Sequence, residues 1–184
     1  MIPFLIIIAV IVIDQATKYI ILTTMQLGES FNFIKYIINI TFTTNTGASF
    51  GILKNHRWIF MILSTVALVL MTATILYLGQ KKLKGNNTLI IVALALMLGG
   101  GFGNMIDRVA RGYVVDFLEF AFVNFAIFNA ADSFICIGSV LFSICIFAGK
   151  YSLFDKPDKT DKTDKSNKSD DTDSNDSSVS EAGT

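Results

Sequence analysis

Two aspartates, Asp116 and Asp132, lie near the ends of apolar segments in a chain that otherwise reads as membrane. A carboxylate near hydrocarbon depth costs ~2.5–3.5 kcal/mol at a helix centre, so it needs a reason. Two converging carboxylates supply one. Within a few ångströms of each other both cannot ionise cheaply, and one keeps its proton. The protonated group can donate to a carbonyl while the ionised one activates water, which is the chemistry of amide hydrolysis. Such a pair titrates as a unit, and the sequence does not say which member holds the proton. Asp107 and Glu119 are the competing carboxylates. Asp107 has Arg108 and Arg111 as neighbours and should pair with one of them; Glu119 lies close enough to Asp116 that spacing does not remove it.

Other polar residues sit where hydrocarbon is expected. Asp14 and Lys18 are one helical turn apart and share a face; counting from Ile2, Asp14 lies roughly 18 Å along its helix. They are expected either to pin that helix against the others or to stand at the rim of a site. Asn104 and Arg108 share a face in the same way, and Asn129 precedes Asp132 by one turn. Gly99, Gly100, Gly101 and Gly103 strip bulk from one segment, either for close helix approach or to leave room for a ligand backbone. Serine chemistry has little support. Ser49, Ser64, Ser133 and Ser139 are present, but there is no GxSxG turn, and His56 reads as a lone surface histidine. With one histidine and no Cys/His cluster, a metal site is not expected. Cys136 and Cys145 stand about 13 Å apart on one helix, too far for a disulfide, and both are expected to be buried.

These residues need elements to position them. Four segments are long and apolar enough to span a bilayer as helices: about Ile2–Leu22, Trp58–Leu78, Thr88–Ile106 and Ile127–Ala148. The first lacks a charged leader and a small-residue cleavage site and contains Asp14 and Lys18, so it reads as a retained span. The lysines of GQKKLKGNN, with Lys150 and Lys156, place that loop and both termini on the cytoplasmic side. The loop from about 23 to 57 and the connection from Asp107 to Ala126 then face outward, with Arg108 and Arg111 on the outer side against the rule. FNFIKYIINITFTTN reads as two short strands resting on the membrane surface. NTGASFGIL comes next, with Gly47 and Gly51 as turn or close-approach positions. YVVDFLEFAFVNFAIF reads as an aromatic interfacial connection. Antiparallel third and fourth spans bring Asp116 and Asp132 together at the outer surface. The expected organisation is a four-span domain over 1–150 and a disordered polar cytoplasmic tail over 151–184, whose Asp-Lys-Thr composition cannot bury a core. The chain is 52% hydrophobic with zero formal charge, and no basic stripe suggests nucleic-acid binding.

Taken in order, DQATK, NTGASFG, GGGFGNMIDR, VVDF and FNAAD closely resemble the lipoprotein signal peptidases (signal peptidase II), over about Ile11 to Ala148. The resemblance implies a multi-pass aspartic endopeptidase of the bacterial cytoplasmic membrane. It would remove the signal peptide from diacylglyceryl-modified prolipoproteins, just before the lipidated cysteine, at the outer face. It implies Asp116 and Asp132 as the catalytic pair, supported by Asp14, Lys18, Asn45, Gly47, Asn104, Arg108 and Asn129. It further implies no metal or other cofactor, contact with membrane lipid, and inhibition by the cyclic peptide globomycin. A monomer is expected. Ser49 stands where alanine is common in the loop motif, and the tail extends beyond the family core. Physically, a lipidated substrate leaves a bilayer with difficulty, at ~0.8 kcal/mol per buried CH₂, so a site at the interface suits it; the outer sheet would cover that site.

Two other classes fit less well. A small transporter would use the intramembrane charges as a path, but the halves do not repeat each other and the polar residues cluster toward one side. A membrane adapter acting through its tail leaves GGGFGNMIDR and FNAAD unexplained.

Overall fold

The structure, a computed structural model, describes residues 2–47, 57–80 and 87–147. His56, Ser49, Gly51, the lysine-rich loop and the tail from 151 lie outside the described residues. The elements are α1 (Ile2–Thr24), β1 (Ser30–Ile34), β2 (Ile38–Asn45), α2 (Arg57–Gln80), α3 (Asn87–Ala110), β3 (Val114–Phe120) and α4 (Ala130–Phe147). All four helices are long and apolar enough to cross a membrane.

The burial of α1 is inverted relative to a helix of a water-soluble bundle. On α1 the buried residues are Val10, Asp14, Lys18 and Ile21, a single stripe at helical spacing that carries both charges. The opposite side exposes Phe4, Leu5, Ile8, Val12, Tyr19 and Ile20. Charge inside and hydrocarbon outside is the arrangement lipid demands.

The central helix is α3, which packs against α1, α2 and α4. Its glycines make this possible. A Cβ on Gly99 would stand 2.7 Å from Val10 of α1, one on Gly100 2.5 Å from the Ala131 carbonyl oxygen of α4, and one on Gly101 2.7 Å from Leu68 of α2. A Cβ on Gly103 would strike the Asp14 carboxylate. Each of the four glycines thus receives a neighbouring helix; close packing accounts for the run, and no ligand backbone is needed to explain it.

Both strands expected in the outer loop are present. The third strand, β3, goes beyond expectation, because its segment reads as an interfacial connection. Val114 to Phe117 are all buried, so the strand lacks the polar–apolar alternation that would reveal it. The sheet is antiparallel in the order β1-β2-β3. Ile40, Phe42, Val115 and Phe117 cluster with Ile21 near the C-terminal end of α1.

The register between β2 and β3 decides which side chains reach Asp116. Ile40 pairs with Leu118 but Thr43 pairs with Asp116, so β2 carries an extra residue between them. A bulge of this kind shifts which side chains share a face. Without it Phe42 would lie opposite Asp116; with it Thr43 does, and Asn45 comes to the carboxylate side.

The ends of the last two spans differ from expectation. α3 continues past Ile106 to Ala110, because its terminal polar residues find partners inside the protein. α4 begins at Ala130 rather than near Ile127, since Phe128 is bonded to β3 (Phe128 N to Leu118 O 3.0 Å, Leu118 N to Phe128 O 2.7 Å). Of the cysteines, Cys145 is buried, but Cys136 is exposed, contrary to expectation, because it faces outward from α4.

Candidate active site

Asp116 is delivered by β3 and Asp132 by the first turn of α4, and Asn129 touches both. Its Nδ2 donates to Asp116 Oδ1 at 2.6 Å, and its backbone N–H donates to Asp132 Oδ2 at 3.3 Å. In return, the Asp132 N–H donates to Asn129 Oδ1 at 3.0 Å. Asn129 and Asp132 therefore form a reciprocal capping pair at the start of α4. That explains why α4 starts there and puts Asp132 on the first turn, where the helix dipole favours negative charge. The sequence alone sets Asp132 one turn deeper.

Asn104 on α3 makes the next connection. It donates to Asp132 Oδ1 at 2.8 Å, and its Oδ1 accepts from Lys18 Nζ at 2.9 Å and from Asn129 Nδ2 at 3.1 Å. With two donors on the oxygen, the amide nitrogen has to face Asp132. Lys18 is fully buried and its three ammonium donors are all committed: to Asn104, to Asp14 Oδ2 at 2.9 Å and to Asp107 Oδ2 at 3.0 Å. It is a structural hub and is not placed to serve as a serine's base. Ser133 and Ser139 donate to helix carbonyls one turn back.

Asp14 faces Lys18 with one oxygen and accepts the Ala131 N–H with the other at 3.0 Å. It thereby satisfies a free N–H at the start of α4, an end that burial would otherwise leave costly. The pinning role expected of the Asp14–Lys18 pair is what the structure displays, and through Asn104 and Ala131 it reaches the site as well. Asp107 pairs with Arg111 at 2.5 Å and with Lys18, not with Arg108, and it accepts the Val115 N–H at 3.1 Å. It therefore fixes the strand residue next to Asp116. Sequence reasoning leaves Gln15 out of the site and treats Asp107 only as a competing carboxylate paired with an arginine. Gln15 donates to Asp14, Asp107 and the Gly103 carbonyl; the available signal is an amide in the middle of an apolar span.

Asn45 donates to Asp116 Oδ2 at 3.1 Å and accepts the buried Gly47 N–H at 3.0 Å. Arg108 donates to the Asn104 carbonyl at 3.4 Å. Its other N–H groups have no acceptor among the described residues. Glu119 is three residues from Asp116 on an unbulged strand and so faces the other way; it accepts from Thr41 at 2.5 Å. Strand parity thus turns Glu119 away from the face that carries Asp116.

Asp116 is 2% exposed. Burial first, and then the Asp132 charge, push its carboxyl up to about 6, against the pull of the Asn45 and Asn129 donors. A carboxyl that is a proton carrier near neutrality, two hydrogen bonds from a second carboxyl, suits acid–base work. The carboxylates are occupied by amide, ammonium and backbone donors, and among the described residues no group of three or more His, Cys, Asp or Glu could hold a metal ion.

The sequence profile described as Signal peptidase (SPase) II matches residues 6–148. The chain belongs to the signal peptidase II family. The match spans all four helices and the sheet. Among its relatives, the lipoprotein signal peptidase of Brevibacillus brevis is 40% identical over 144 residues, covering 78% of this chain and 93% of that protein. That of Bacillus subtilis is 41% identical over 146 residues, covering 78% and 92%. The solved structure of a bacterial membrane enzyme at 2.3 Å resolution superposes with a TM-score of 0.69 at 36% identity, covering 84% of this chain and 92% of that one. A second, at 1.9 Å, gives 0.68 at 40% identity, covering 78% and 91%. This signal peptidase II member is accordingly a multi-pass membrane protein.

Proposed function

We propose that the protein is an aspartic endopeptidase that removes signal peptides from diacylglyceryl-modified prolipoproteins, cutting just before the lipidated cysteine. The observation that carries the mechanism is the single asparagine, Asn129, bonded to both Asp116 and Asp132. Family membership carries the substrate class.

The pair holds one proton. The ionised member takes a proton from water as the water oxygen attacks the scissile carbonyl, while the protonated member donates to the carbonyl oxygen. Collapse of the tetrahedral intermediate passes a proton to the leaving nitrogen, and the pair returns to its singly protonated state. Asn45, Asn104 and Asn129 hold the carboxylates in place. Arg108 has donors left to bind a substrate carbonyl. Asp14 and Lys18 act through Ala131 and Asn104. Gly47 ties the loop to Asn45.

Lysine placement puts both termini in the cytoplasm and the carboxylates at the outer face of the bacterial membrane. The enzyme acts as a monomer in contact with lipid, needs no cofactor and is blocked by globomycin. The deciding experiment is cleavage of a diacylglyceryl-modified prolipoprotein by purified protein in detergent. Wild type should cut before the lipidated cysteine, and folded Asp116→Asn and Asp132→Asn should not. Near-normal activity in either variant refutes the two-aspartate mechanism.

A further inference from the structure

Strand β2 places one more polar side chain at the carboxylates. The bulge that brings Asn45 to the Asp116 side also sets Thr43 directly opposite Asp116. Opposed residues of an antiparallel pair share a face, with Cβ atoms about 4.5–5.5 Å apart. Bulges recur beside active sites because they re-aim a side chain. The side chain re-aimed here is a β-branched alcohol with few χ1 choices. Thr43 is half-buried, so a small molecule can reach it.

Its hydroxyl is uncommitted. Thr17, Thr65 and Thr72 donate to helix carbonyls one turn back, and Thr41, on the same strand as Thr43, donates to Glu119. The Thr43 hydroxyl makes no hydrogen bond among the described residues. Asp116 has matching capacity. Its Oδ1 accepts from Asn129 and its Oδ2 from Asn45, one donor each, and a carboxylate oxygen can accept two. A hydroxyl and a carboxylate on one strand face, near each other but not bonded, are the partners that one bridging water needs.

We propose that Thr43 is a further catalytic residue, whose Oγ1 orients the water that attacks the scissile carbonyl. The inference rests on the proposed function. The water donates one O–H to the ionised carboxylate of the pair and the other to Thr43 Oγ1. Both its protons are then engaged, and a lone pair on its oxygen is available to the scissile carbon. As the C–O bond forms, the first proton passes to the carboxylate and the carbonyl electron pair moves onto the carbonyl oxygen, which takes the proton of the other carboxyl. The second water proton stays on the attacking oxygen and keeps its bond to Thr43. A water held by one carboxylate alone can swing about that bond. A second anchor removes the swing, and fixing a reactant's orientation raises rate. Thr44 supplies the control, because it pairs with Val115 and projects from the opposite face.

The test compares wild type with Thr43→Val, Thr43→Ser and Thr44→Val in single-turnover cleavage of a diacylglyceryl-modified prolipoprotein, with purified protein in detergent and in excess. Valine keeps the branched shape and the strand preference and removes the hydroxyl. Thr43→Val should lower the saturating rate about ten-fold, the weight of one hydrogen bond to the reacting water. The enzyme concentration giving half that rate should not move. Thr43→Ser keeps the hydroxyl on a freer χ1 and should stay within about three-fold of wild type. Thr44→Val should match wild type. An unchanged rate in Thr43→Val overturns the inference. So does a change confined to the half-saturating concentration, which marks a substrate contact, or an equal loss in valine and serine, which marks packing. Should Thr43→Val lower the thermal unfolding midpoint, the serine variant decides: recovery of rate supports the hydroxyl's role, and loss of rate at a wild-type midpoint overturns it. A wild type that cuts no lipidated substrate refutes the proposed function and this inference with it, whereas an active wild type beside an equally active Thr43→Val refutes this inference alone.

Discussion

Asp116→Asn removes a charge that the folded protein holds uphill. The carboxyl is pushed up to about 6 in the fold, from 3.8 as an ordinary aspartate. The native state thus binds this proton more tightly than the unfolded chain does, and unfolding releases it. Stability from this group is fully present below about 3.8 and is lost as pH rises through about 6. Roughly two pH units at 1.36 kcal/mol each give about 3 kcal/mol. Asparagine does not ionise, so the variant escapes that loss. It brings a separate defect. Asn45 and Asn129 each donate to Asp116 and are each fixed by a second bond through Oδ1. An amide at 116 must therefore turn its NH₂ toward one of two donors, at a cost of about 1–3 kcal/mol that is the same at every pH. The informative quantity is the slope. Reversible unfolding in mixed micelles should show the variant gaining on wild type by about 3 kcal/mol between about pH 4 and pH 7. In an Asp132→Asn background the gain should shrink, because the Asp132 charge is the second cause of the shift. A difference that is flat with pH would refute the claim that Asp116 ionises uphill, and with it the physical basis for a shared proton.

Three further outcomes are expected. Asn45→Ala removes a donor that favours ionised Asp116, so the alkaline limb of the pH–rate profile should move upward from near 6; a downward move would contradict the assigned hydrogen bond. Lys18→Met leaves Asp14 and Asp107 without their shared cation and should destabilise the protein by about 3–5 kcal/mol, read as loss of folded protein in the membrane. Gly100→Ala should lose about 1–3 kcal/mol because its Cβ meets the Ala131 carbonyl, whereas Gly79→Ala, with nothing within 4 Å, should be neutral or gain up to about 1 kcal/mol; equal effects in a thermal unfolding assay would count against the packing account.

Much of this arrangement is legible from residue types. Membrane spans announce themselves because a bilayer admits few alternatives, and β1 and β2 show in their β-branched, aromatic run. β3 is hidden because both of its faces are covered at the residues that matter, leaving no alternation to see. The bulge in β2 is also silent, yet it decides that Asn45 and not Phe42 sits on the Asp116 side. The start of α4 is readable in principle: Asn129 followed by Asp132 three residues later is a helix-start signature, masked because the apolar run begins earlier at Ile127. Asp107 is expected to pair with an arginine and does, with Arg111, but its grip on the Val115 N–H depends on a strand that the sequence conceals.

The start of α4 has one more consequence. Its free N–H groups are satisfied by Asp14, from the first helix, and by Asn129, which is itself held by Asn104 on the third and by Asp116 on the sheet. Asp132 therefore reaches its position beside Asn129 only when the last span meets α1, α3 and β3. A nascent molecule still emerging into the bilayer carries its aspartates apart and has no opposed pair. Under the proposed two-aspartate mechanism activity therefore follows assembly: the hydrolase stays inert among unfolded membrane segments until it has ceased to be one of them.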